Sequence, residues 1–227
     1  MSVTRALFRV YRPIIFPFAV ILVAADVIAT VAVAAVNDLG FSMWLVLGGQ
    51  AAKYWILVVG IILVAMQLRQ FVVNGATRHE FLAGVAVFGL VLVVGWAVAI
   101  VLGHGIESAL LGAVGKRAPG YPVLTAGGAL RQFGQQLPIS LAYLVSGLTI
   151  AIGFYRWRAW IGLGVMLGGA VPAFVADWLL GFNEWGGLTH SVPPYPAGLA
   201  LSLAATGLVA WGFHRAISDV PIRRTAG

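Results

Sequence analysis

Apolar residues run almost without interruption through six stretches, 14–36, 44–66, 81–102, 137–155, 160–182 and 197–213, and polar residues gather between them. Each stretch holds about 20 residues, enough at 1.5 Å per residue to cross a hydrocarbon core of about 30 Å as a helix. A barrel is disfavoured, because its strands would alternate polar and apolar positions. The pattern therefore predicts an all-α integral membrane protein with a single transmembrane domain over residues 1–227. Six crossings put both termini on one side.

The basic residues give that side a direction. Of the 14 lysines and arginines, Arg5, Arg9, Arg12, Arg69, Arg78, Arg156, Arg158, Arg215, Arg223 and Arg224 fall on the face shared by the termini. Lys53 lies within the second stretch, and Lys116, Arg117 and Arg131 lie in one longer connection. The positive-inside rule then places both termini in the cytoplasm, with the cell membrane as the expected location.

Residues 1–13 alternate arginine with aliphatic or aromatic bulk, which predicts an amphipathic helix lying in the inner interface, with Pro13 turning the chain into the bilayer. The first stretch exceeds the roughly 7–15 residues of a signal-peptide core, so it is expected to stay as a span. Neither a myristoylation nor a prenylation signal is present, so the spans themselves are the expected anchor. Residues 103–136 form a long outer connection in which 106–114 is expected to lie along the surface as a helix, and the prolines of 183–196 suggest a stiff outer turn. No repeat relates the first three spans to the last three, which weighs against a carrier built of inverted repeats.

Composition narrows the function. The 227 residues are 61% apolar and 9% charged, with mean hydropathy +0.97, so little chain is left for a folded head outside the bilayer. The net charge of +7 is scattered between spans and stripes no soluble surface, so nucleic acid is not an expected partner. No cysteine is present, which removes disulfides, thiolate metal sites and a cysteine nucleophile.

The most informative segment is 67–80, between the second and third spans. Asn74 and Gly75 suit a helix end that needs left-handed backbone, and Thr77 and Glu80 have the spacing of a capping box that starts the next helix at once. The expected product is a sharp corner at the cytoplasmic face, displaying Arg69, Gln70, Arg78 and His79 beside Phe71, Val72 and Phe81. Any short inner loop needs a turn, a cap and positive charge, so these features alone also fit a plain connection.

The run Asn74, Gly75, Ala76, Thr77, Arg78, His79, Glu80, Phe81 resembles the segment that follows the second span in ABC-2 type ABC transporter permeases. The six spans, the inner interfacial segment and the near absence of soluble mass also resemble that family. The resemblance implies that Arg69, Gln70, Asn74, Gly75, Thr77, Arg78, His79, Glu80 and Phe81 form an ATPase-coupling region. It further implies a dimer with a second permease copy or paralogue, and an exporter-like function on hydrophobic or amphiphilic cargo. No phosphate-binding loop of the G-x-x-x-x-G-K-[ST] kind occurs, so ATP and Mg belong to a separate ATP-binding cassette ATPase subunit, and this chain is expected to bind no cofactor and to hold no catalytic residues. One departure is visible: the larger outer connection follows the third span, whereas the family places prominent outer re-entrant structure between the last two.

Two charges lie deep within the spans. Asp26 falls about 18 Å from the inner start of the first and Lys53 about 14 Å from the outer start of the second, so an intramembrane ion pair is expected between these consecutive helices. Such a pair either lines a substrate path or fixes helix rotation. Asp177 is expected at the outer interface. Gly164 and Gly168 have the spacing of a close helix approach, in bundle packing or at a dimer seam. Trp44, Trp160, Trp178 and Trp185 are placed in aromatic belts, with Trp55 and Trp96 deeper. His104, Glu107 and His190 fall short of a recognisable metal motif, and no metal is expected. The alternatives to an ATP-driven permease are an ion-coupled carrier using Asp26 and Lys53, or a membrane scaffold.

Overall fold

The computed structural model describes residues 2–181 and 193–218. Among them six helices are long and apolar enough to cross a membrane: α1 (Val3–Val36), α2 (Met43–Val73), α3 (Arg78–Ala113), α4 (Ala126–Arg156), α5 (Ala159–Leu180) and α6 (Tyr195–Ser218). No strand is found among the described residues; the only pairing of that kind is an isolated bridge between Leu39 and Arg117. An all-helical, multi-pass membrane architecture agrees with the hydropathy pattern.

The helices are arranged around α4, which touches α2, α3, α5 and α6. It buries Gln132, Gln135, Gln136, Ser140, Ser146 and Thr149. A helix shielded from lipid on all sides can carry such groups where a lipid-facing one cannot. Backbone approach makes the central packing tight. A Cβ on Gly60 of α2 would lie 2.6 Å from the Leu144 carbonyl oxygen, and one on Gly147 of α4 would lie 2.1 Å from that of Leu57. Only glycine permits this crossing, which in an apolar solvent is held by dispersion contacts between backbones. Just beyond it, α2 contains a π-helical turn, Leu63–Gln67, before its last turns run to Val73.

The expected interfacial helix is absent. Residues 3–13 belong to α1, which continues through Pro13 and Pro17 without a break. Each proline costs one backbone hydrogen bond, but a straight continuation buries Val3, Leu7 and Tyr11, spaced four apart, against α3. Val3 sits on Gly84, and the rings of Phe8 and Tyr11 lie 5.0 and 5.1 Å from Phe88. Arg5, Arg9 and Arg12 remain exposed. At about 50 Å, α1 and α3 both exceed the hydrocarbon core, and they run parallel side by side.

Higher in the bundle, the ring of Phe18 stacks at 4.7 Å on Trp55, whose indole lies 5.6 Å from that of Trp96. These deep tryptophans pack on each other. The outer connection is shorter than expected, because α3 carries on to Ala113 and α4 begins at Ala126. Residues 106–113 are thus the last turns of a span. Trp160 and Trp178 are exposed near the two ends of α5, whereas Trp44 is buried and its Nε1 donates to the Ile100 carbonyl at 2.9 Å. Gly164 and Gly168 face open space; the glycines of α5 that pack on α4 are Gly162 and Gly169. Trp185, His190, Arg223, Arg224 and most of the 183–196 turn lie outside the described residues.

Candidate functional site

Both described chain ends lie on one face, since Val3 meets Gly84 and Ser218 meets Arg78. The corner between α2 and α3 shares that face, and its backbone follows from its residue types. Gly75 takes φ 89°, the left-handed region that glycine enters without penalty. The Ala76 N–H then donates to the Phe71 carbonyl at 2.9 Å and the Gly75 N–H to that of Val72 at 3.1 Å, the two bonds of a Schellman motif. Thr77 starts α3 immediately. Its Oγ1 accepts from the Glu80 N–H at 3.2 Å, while Glu80 Oε2 accepts from the Thr77 N–H at 2.8 Å and from its hydroxyl at 2.9 Å. These bonds, the backbone one first, hold the Glu80 carboxyl below the usual carboxylate range.

The side chains of the corner divide differently from the sequence expectation. Arg69, Gln70, Asn74, Thr77, His79 and Glu80 are exposed. Phe81, expected on the surface, is fully buried in the main core, 5.9 Å ring to ring from the half-buried Phe71. Position 81 lies on the face of α3 that also carries Val85 and Phe88, and that face turns inward. Arg78 is also structural: its Nη1 donates to the Ser218 carbonyl at 2.9 Å, and Arg156 Nη1 donates to that of Ala216. Two arginines counted as topology signals therefore satisfy last-turn carbonyls of α6, where a cation is favoured by the helix dipole. A cavity of about 360 Å³ lies between the corner and α6, with Val72, Arg78, His79 and Ser218 among its walls.

The predicted Asp26–Lys53 ion pair does not form. Lys53 Nζ is 2.6 Å from Asp177 Oδ2 and 2.9 Å from its Oδ1, and Tyr143 donates its hydroxyl to Oδ2 at 3.0 Å. The rings of Tyr54 and Tyr143 lie 5.5 and 5.6 Å from the ammonium, close enough for cation–π attraction. α1 sits at the rim of the bundle, whereas α2 and α5 both line a polar cavity of about 200 Å³ with Gln50, Lys53, Gln136 and Asp177 in its wall. Asp26 is buried elsewhere, between α1 and α3, and its Oδ1 has no hydrogen-bond partner.

Glu107 and His104, considered as metal ligands, have other work. Glu107 accepts from the Ser42 hydroxyl, from the Met43 N–H at 2.8 Å and from the Trp44 N–H at 3.3 Å, so it closes the N-terminus of α2. His104 bonds Gln132 at 3.1 Å and the Pro122 carbonyl at 2.8 Å, pinning the outer connection. Burial, reinforced by the charge of Glu107, raises the phenol of nearby Tyr121, so it stays protonated. No metal-binding cluster of three histidines or carboxylates occurs among the described residues.

Sequence reasoning overlooked Asp177 as the partner of Lys53 and Glu107 as a cap. Ser42 just before an apolar run signals a helix start, but nothing local announces that a carboxylate 65 positions away completes it. Compared with models of protein families, with curated proteins and with solved structures, the chain matches none.

Proposed function

We propose that the chain is the membrane-spanning permease subunit of an ATP-driven exporter for hydrophobic or amphiphilic cargo, paired with a second permease copy or paralogue. A separate ATP-binding cassette subunit binds ATP and Mg and docks on the α2–α3 corner from the cytoplasm. The observation that carries the reading is the corner itself: a doubly capped bend on the face of both described chain ends, with Arg69, Gln70 and His79 exposed. The bend is rigid enough to transmit a push, because its ends are fixed by hydrogen bonds and its core side is anchored by Phe81. Arg78 carries the displacement to α6, and the contact of Val3 with Gly84 carries it to α1. The π turn above the bend gives α2 a place to yield, since its hydrogen bonding is weaker than that of an α-helix.

The test uses the lack of native cysteines. A single cysteine at Asn74 is expected to react with a membrane-impermeant maleimide only in inverted vesicles, and His79→Glu is expected to abolish co-purification of a phosphate-loop ATPase. Labelling from the outside, or an ATPase that stays bound to the variant, refutes the reading. The Lys53–Asp177 pair beside its polar cavity favours a second reading, an ion-coupled carrier. That reading requires transport that follows an ion gradient, needs no nucleotide and fails in Asp177→Asn.

A further inference from the structure

Two polar atoms one helical turn apart on α1, Asp26 Oδ1 and Thr30 Oγ1, are buried without a hydrogen-bond partner. Asp26 keeps only 7% of its surface exposed. Residues 26 and 30 share a helix face, and both line one cleft of about 310 Å³ between α1 and α3. Glu107 lines it too, but its oxygens are already engaged by Ser42 and by the first N–H groups of α2. No lysine or arginine stands among the described residues of the cleft wall. The rest of the wall is apolar, and Val27, Val31, Ile106 and Leu110 expose 52, 63, 61 and 61% of their surface at its mouth. On a membrane-spanning helix these side chains face lipid.

A carboxylate buried among valines is costly unless a cation or a proton neutralises it. A small hydrated ion gains little here, because apart from Asp26, Thr30 and Glu107 the walls offer it no polar side chain. An alkylammonium meets every feature at once. Its N–H groups donate to Asp26 and Thr30, its charge opposes the Asp26 carboxylate, and its chain lies along the valines. It reaches the cleft from the bilayer, where it already partitions. We propose that the α1–α3 cleft is a binding site for lipophilic primary amines, with Asp26 as the charge partner and Thr30 as the second acceptor. This narrows the cargo of the exporter and to that extent rests on the permease reading; binding to the isolated chain does not.

The experiment measures dodecylamine binding to the full chain in phosphatidylcholine nanodiscs, with empty nanodiscs to subtract partition. Expected is saturable binding of one amine per chain, displaced by decylamine and not by dodecanol. Asp26→Asn should weaken it by about tenfold or more, because the charge partner is lost in an apolar surrounding, and Thr30→Val by a few-fold. Val27→Phe, which narrows the cleft from its lipid side without altering a polar group, should also reduce binding, so the inference stays testable if Asp26→Asn fails to fold. Binding no greater than in empty nanodiscs, dodecanol competing as well as decylamine, or unchanged affinity in folded Asp26→Asn or Val27→Phe would overturn it. No ATPase is present in this assay, so such a failure leaves the permease reading intact, and loss of the ATPase interaction leaves the binding result intact.

Discussion

Lys53 Nζ sits 2.6 Å from Asp177 Oδ2, joining α2 to α5 across 124 positions of sequence. Removing one member leaves the other without its counter-charge inside an apolar bundle. Lys53→Met or Asp177→Asn is therefore expected to destabilise the fold by about 1–3 kcal/mol, less than a fully enclosed pair costs, because the Asp177 side chain keeps 31% exposure. The double variant Lys53→Met with Asp177→Asn should recover most of the loss. Thermal melting of the four proteins in one detergent makes the cycle, and additive effects would show that the two charges are uncoupled.

The α2–α4 crossing makes a sharper prediction. Gly147→Ala puts a methyl 2.1 Å from the Leu57 carbonyl oxygen, and backbone on both sides leaves no flexible side chain to move aside. A loss of at least about 2 kcal/mol is expected. Gly164→Ala on α5 meets nothing within 4 Å and should be neutral or stabilising by about 0.5–1 kcal/mol through lower backbone entropy in the unfolded chain. Similar melting temperatures for the two variants would contradict this packing.

The capping box gives a pH dependence with a definite sign. The Glu80 carboxyl is held below its ordinary value of 4.5 by its bonds to Thr77. Its folded form therefore releases the proton more readily than the unfolded chain does. The contribution is present above about pH 4.5 and is lost as the pH falls through the lowered folded value. Amide protection at the first turn of α3, measured as exchange relative to the unstructured rate at the same pH, should fall on acidification in the native protein. In Glu80→Gln, which keeps an acceptor for the Thr77 N–H but cannot titrate, the protection should not change with pH, and a native-like acid response in that variant would place the titration elsewhere.

Much of this architecture is legible in the residues. Long apolar runs fix the number of helices, because hydrocarbon leaves the backbone no other partner than itself. The Asn74–Glu80 corner is legible for a similar reason, since Gly75 and the Thr77/Glu80 spacing each encode a local hydrogen-bond pattern. What escapes is the arrangement of helices around α4. Consecutive spans are ordinarily neighbours, which suggested pairing Asp26 with Lys53, yet α2 turns its lysine toward α5. Phe81 is read as a surface residue from the motif and is a core residue by helix phase. Pro13 signals a bend in isolation, but three side chains buried against α3 outweigh the lost bond.

The division of the corner into a buried anchor and an exposed rim leads to a test that separates folding from coupling. Phe81 has no exposed surface, so Phe81→Ala should cost about 3–5 kcal/mol by leaving a cavity beneath the bend, and any loss of ATPase binding in it reports instability. His79 and Gln70 are exposed, and the ring of His79 lies 6.4 Å from that of His214, itself exposed. His79→Glu and Gln70→Glu should melt within about 0.5 kcal/mol of the native protein, as surface changes generally do. If the corner is the handle for a soluble ATPase, the same two variants should lose nucleotide-dependent transport despite that unchanged stability. Gly75→Ala lies between these cases: it forces a side chain into left-handed backbone at about 1–2 kcal/mol and should loosen the bend locally. Transport that tracks melting temperature across all four variants would mean that the corner only holds the bundle together; transport lost in the two rim variants at native stability would mean that it is gripped.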